Sequence, residues 1–164
     1  MNEQQEERMR TQIKETFHKA WRDVLEAKVR EEPPDYDWIV RLYTEMRHNL
    51  TYFLKKGSAF RTEIEESLDI ELFDQMIRHG AFKGQEFYNL VCYVFDLCLK
   101  LGSPARDKDV NKLKDEVLES LKNSGVFAIL VPLFFKNINI CIEWIHKDLS
   151  LVPEELKKII NSKK

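Results

Sequence analysis

Apolar side chains return every three or four residues along almost the whole sequence, the spacing that lays a stripe down one face of an α-helix. Ile13, Phe17, Trp21, Val24, Leu25 and Val29 make the first stripe and predict a helix over 6–30. It stops before Pro33-Pro34, because a residue preceding proline is pushed out of the α conformation. Pro34-Asp35 opens a second helix with acidic residues in its first turn, where the helix dipole favours them. Trp38, Ile39, Leu42, Tyr43, Met46, Leu50, Phe53 and Leu54 are its apolar face. Gly57 closes it and Ser58 caps a third helix over 59–68. Asp69 caps a short fourth helix ending at His79 and Gly80.

The fifth predicted helix, 85–101, is apolar almost all round, with only Asn89, Tyr93, Asp96 and Lys100 as a polar strip. Such a helix belongs at the centre of its domain. Gly102 ends it, and Ser103-Pro104-Ala105-Arg106-Asp107 leads into a sixth helix that ends near Lys122. The seventh, 126–149, carries two roughly opposite stripes: Phe135, Ile138, Cys141, Ile142, Ile145 and Leu149 on one side, Leu133, Ile140 and Trp144 on the other. Pro132 is expected to kink or restart this helix. Pro153 starts a last amphipathic turn. The expected architecture is a single all-α domain of about seven helices, with 85–101 and 126–149 central. Residues 1–10 form a polar extension, 11–160 the helical domain and 161–164 a frayed tail.

Composition agrees with this picture. Five glycines and five prolines in 164 residues are too few for a turn-rich β fold. With 26 Lys plus Arg against 28 Asp plus Glu, the net charge is −2, which gives no general pull towards nucleic acid or anionic membrane. The first ten residues lack the apolar core of a signal peptide. The apolar stretch 126–142 is broken by Pro132, Lys136, Asn137 and Asn139, and reads as too short and too polar to span a bilayer. Cys92, Cys98 and Cys141 read as reduced core thiols, so a cytoplasmic location is expected.

Candidate chemistry is sparse. Glu45-x-x-His48 and Glu143-x-x-His146 have the spacing used by di-iron sites in helical bundles, which makes a metal-dependent helical enzyme one alternative reading. Helical geometry opposes it, since His48 and Glu143 turn away from the main apolar stripes. Cys92 and Cys98 are six apart and face different sides, unlike zinc ligands. No phosphate-binding glycine loop and no nucleophile elbow occur. No metal, cofactor or catalytic residue is therefore assigned. Arg41, Arg47, Lys55, Lys56 and Arg61 form a basic cluster, which admits a second alternative, binding of acidic membrane or nucleic acid. Arg106 is expected to bridge to a carboxylate such as Asp96 or Asp109, with Asp107 near the start of the next helix.

Several segments taken together resemble the T-complex protein 11 family. They are Ala20-Trp21-Arg22-Asp23-Val24-Leu25-Glu26, Pro33-Pro34-Asp35-Tyr36, the run Glu63 to Leu72, His79-Gly80-Ala81-Phe82, and Leu101 to Asp107. In the last, Ser103 stands before Pro104 where the family pattern has alanine. The resemblance covers roughly 17–149. It implies a helical protein without carried-over catalytic residues, acting through protein contacts, with links to cyclic AMP and protein kinase A signalling and to sperm function. Members are considerably longer, so the second stripe of the seventh helix is expected to lack its usual cover. Leu133, Ile140, Trp144, Arg106 and Asp107 are thus the expected partner-binding residues. The expected function is a non-catalytic adaptor or regulator with protein partners, a second copy of the chain among them.

Overall fold

The computed structural model describes residues 2–31 and 34–150, and these are helical with no strand among them. Seven α-helices follow in order among the described residues: α1 (Glu3–Arg30), α2 (Tyr36–Thr51), α3 (Ala59–Ser67), α4 (Ile70–Arg78), α5 (Gly84–Leu101), α6 (Asp107–Asn123) and α7 (Phe127–Ser150). A 3-10 turn, Pro104–Arg106, joins α5 to α6. The all-α expectation holds, and most boundaries fall within two residues of those read from the sequence.

Two boundaries moved for local reasons. α1 starts at Glu3 rather than residue 6, because Asn2 and Gln5 exchange side-chain-to-backbone hydrogen bonds in a capping box. Residues 3–10 are therefore helix. α2 stops at Thr51, whose hydroxyl donates back to the carbonyls of Arg47 and His48. Leu54 is still buried, but from the following turn, and its carbonyl accepts from Arg61 Nη1 at 2.9 Å. The turn expected at Pro153 and the 161–164 tail lie outside the described residues.

α7 is the hub. It packs against α1, α2, α5 and α6, while α2 also packs on α3 and α4. The near-complete apolar surface of α5 is used as its pattern requires: Phe87, Val91, Val94, Phe95, Leu97 and Cys98 are all buried. A row of rings crosses the layers, from Tyr43 stacked on Phe73 at 4.0 Å, through Phe82 and Phe87, to Phe134 of α7.

α7 decides one reading and corrects another. It runs through Pro132 as one helix, so the proline does not restart it, although it removes the N–H that the Ala128 carbonyl would accept. It is also long and apolar enough to cross a membrane by length and composition, contrary to the estimate from 126–142. Most of it is buried inside this fold, so its apolarity is accounted for by four neighbouring helices. Asn137 is no surface interruption. It is fully buried, and its Nδ2 donates to the Leu113 carbonyl at 2.9 Å and to Glu116 Oε2 at 3.1 Å, pinning α7 to α6.

Candidate functional site

The Ser103–Asp107 segment is an internal clamp. Ser103 Oγ accepts from Ala105 N, and Pro104 begins the 3-10 turn. Arg106 then reaches α7, not the expected Asp96 or Asp109. Its Nε and Nη2 donate to the two carboxylate oxygens of Asp148 at 2.8 and 3.2 Å. Its guanidinium also lies 5.1 Å from the centre of the Trp144 ring. The hydrogen bond from Arg106 holds the Asp148 carboxyl below the usual aspartate range. Asp107 is the first residue of α6 and is exposed. Two of the expected partner-binding residues, Arg106 and Trp144, therefore engage each other. Leu133 and Trp144 pack against the core as partly buried residues, and Ile140 is likewise only partly open.

The two Glu-x-x-His pairs are split. Glu45, Glu143 and His146 line one open cleft of about 290 Å³ between α2 and α7, while His48 is exposed and faces Tyr52. His146 Nε2 lies 2.8 Å from the Asn49 carbonyl and its ring packs on Tyr52 and Phe53. Glu143 pairs with Lys14 of α1 at 2.7 Å. Among the described residues, no three His, Cys, Asp or Glu side chains are grouped to hold a metal ion. Cys98 and Cys141 meet in the core, and that contact together with burial pushes the Cys98 thiol up, which suits packing and not nucleophilic chemistry.

The basic cluster also divides. Arg47 donates to the carbonyls of Glu65 and Leu68, and Arg61 to the Leu54 carbonyl and to Glu65. Arg47 fastens α2 to the end of α3, and Arg61 fastens α3 to the turn that follows α2. Arg41, Lys55 and Lys56 are exposed.

Two surfaces are left open. The first is on α1, where only Leu25 and Val29 are buried. Ile13, Phe17 and Val24 were expected in the core but are 63%, 68% and 47% exposed. With Ala20 and Ala27, also exposed, they alternate at spacings of four and three, the seam pattern of paired helices. The second is a groove of about 380 Å³ between α3–α4 and α5. Buried Tyr43, Leu68 and Phe73 form its floor, and Leu72, 53% exposed, its lip. Glu66, Asp69 and Glu86 put three carboxylates in its lining, with no lysine or arginine. Burial pushes the Tyr43 phenol well above the usual tyrosine range. The Tyr93 hydroxyl in its wall is buried and completes no hydrogen bond. Burial pushes this phenol up, and its polar neighbour Ser67 only partly offsets the shift without reaching hydrogen-bonding geometry.

The α1 seam was readable in the sequence as a 4-3-4-3 spacing, yet it overlaps the stripe that reads as core. The groove had no such signal, because the Glu66–Asp69 junction and Glu86 of α5 are brought together only by folding.

The family model for T-complex protein 11 matches residues 1–140. A human T-complex protein 11 homolog is 32% identical over 132 residues, which are 80% of this chain and 26% of that protein. The mouse T-complex protein 11 is 25% identical over 142 residues, 86% of this chain and 25% of that protein. The human T-complex protein 11-like X-linked protein 1 is 30% identical over 101 residues, 61% of this chain and 20% of that protein. The chain spans about a quarter, or less, of the length of these relatives. No solved structure matches it.

Proposed function

Because the chain belongs to the T-complex protein 11 family, we propose that it is a non-catalytic helical module that regulates signalling by holding partner proteins, with the exposed seam of α1 as its principal contact. The observation that carries this is the row Ile13, Phe17, Ala20, Val24 and Ala27, uncovered on a helix whose other side is seated on α7. A large exposed apolar row marks an interaction surface. Its spacing suits an α-helix laid alongside, with Ala20 and Ala27 allowing close approach between larger anchors. The fitting partner is thus an amphipathic helix of another protein. A second copy of this chain would present the same seam. Leu133, Ile140 and Trp144 are a secondary surface in this proposal, since each keeps some exposure.

The test compares solution mass and retained partners for wild type, a Phe17→Asp chain and an Ile140→Asp/Trp144→Asp chain, each checked for unchanged helicity. Loss of association in Phe17→Asp alone supports the seam. Loss only in the α7 variant moves the interface to α7. Association unchanged in both removes the proposal. A rise in wild-type mass to that of a dimer, abolished by Phe17→Asp, identifies the second copy as occupant.

A further inference from the structure

We infer that the groove between α3–α4 and α5 receives a basic peptide segment of a partner protein, seating one aromatic or long aliphatic side chain on its apolar floor while lysine or arginine side chains meet its acidic rim. This goes beyond the α1 contact and uses none of its residues.

The floor supplies the anchor site. Tyr43 and Phe73 are stacked, and Phe82 meets Phe73 edge-on at 5.2 Å, so an incoming ring or leucine would meet a rigid aromatic surface. A cavity of about 380 Å³ falls at the small end of ligand pockets, enough for one large side chain and its neighbours. Buried anchors of this kind dominate peptide and protein recognition.

The rim sets the sign of the partner. Asp69 Oδ1 accepts from Leu72 N, and Glu86 Oε2 accepts from Lys83 N. Each is a single bond to a group with capacity for several, so both remain acceptors. Glu66 is exposed beside them. Arg47, within electrostatic reach of Tyr43 but outside the lining, has its guanidinium on the Glu65 and Leu68 carbonyls. Three carboxylates lining an apolar floor with no lining cation favour a cationic, amphipathic occupant and repel an acidic one.

The walls suit a peptide over a small amine. Gln85 Nε2 occupies the Asn89 carbonyl, leaving the Asn89 amide N–H groups to donate to a peptide C=O. A peptide backbone offers them carbonyl acceptors, while the Tyr93 hydroxyl stays enclosed within the same wall.

The experiment selects a displayed library of random short peptides on the wild-type chain, with counter-selection on a Glu66→Lys/Leu72→Asp chain. Both changed positions are exposed, and thermal unfolding confirms that the variant is folded. A synthetic copy of the best-enriched peptide is then titrated by fluorescence anisotropy. The expected result is enrichment of sequences with an aromatic or leucine anchor flanked by lysine or arginine. Their affinity should fall roughly tenfold in Glu66→Lys, fall less in Glu66→Gln, and weaken with salt. Phe17→Asp should bind them as wild type does, which keeps this outcome separate from that of the α1 seam. Failure of any peptide to enrich over the counter-selected chain, enrichment of acidic or uncharged peptides, or binding indifferent to Glu66→Lys would each overturn the inference.

Discussion

Asn137 shows how one polar side chain can be decided by its surroundings. In the sequence it interrupts an apolar run; in the fold its Nδ2 donates to the Leu113 carbonyl and to Glu116 across the α6–α7 contact. Asn137→Ala should therefore cost about 1–3 kcal/mol of unfolding free energy in urea denaturation, because it removes both hydrogen bonds from α7 to α6 and leaves a small void. Tyr93 is the converse case. Its hydroxyl is buried without a completed bond, so Tyr93→Phe should leave stability unchanged or raise it by up to about 1 kcal/mol. The Arg106–Asp148 pair gives a pH signature. Its partner holds the Asp148 carboxyl below the ordinary value, so the pair's contribution is complete above about pH 4 and disappears as the folded carboxyl is protonated. Wild type should exceed Arg106→Gln in stability by no more than about 1 kcal/mol at neutral pH, solvent screening included, and the gap should close in acid.

At the scale of elements, helix existence was the most legible property and helix environment the least. The α5 pattern announced burial on nearly every side, and α5 is buried. The α1 pattern announced one buried face, but periodicity places residues on a face without saying whether a neighbouring layer reaches it. Leu25 and Val29 are buried in the core; Ile13 and Phe17 do not find a cover. The junction after α5 was legible only in part. Gly102 was read as a helix-ending glycine, yet its φ of −90° needs no glycine. A Cβ there would sit 2.8 Å from the Cys98 carbonyl and 3.6 Å from Ile145, so its requirement is closeness to α5 and α7. Gly102→Ala should destabilise the fold by about 1–3 kcal/mol and loosen the Arg106 clamp, measurable as a lower urea midpoint.

For the whole molecule, the distribution of burial sets a gradient of local stability. Amides of α5 and α7 should exchange most slowly with deuterium, and those over 3–18 of α1, where the side chains are mostly exposed, should exchange fastest. Uniform protection along α1 in the isolated chain would mean that the seam is already covered, and would count against its role as a contact. The sequence by itself determined the helical class, the number and order of the helices, and the central place of α5 and α7, because those follow from the spacing of apolar side chains along one chain. The tertiary structure alone decided that Arg106 meets Asp148, that the Glu-x-x-His pairs divide, and that Glu86 joins Glu66 and Asp69 at one aromatic groove. These are relations across helices, fixed by which faces pack together, and no spacing within a single helix encodes them.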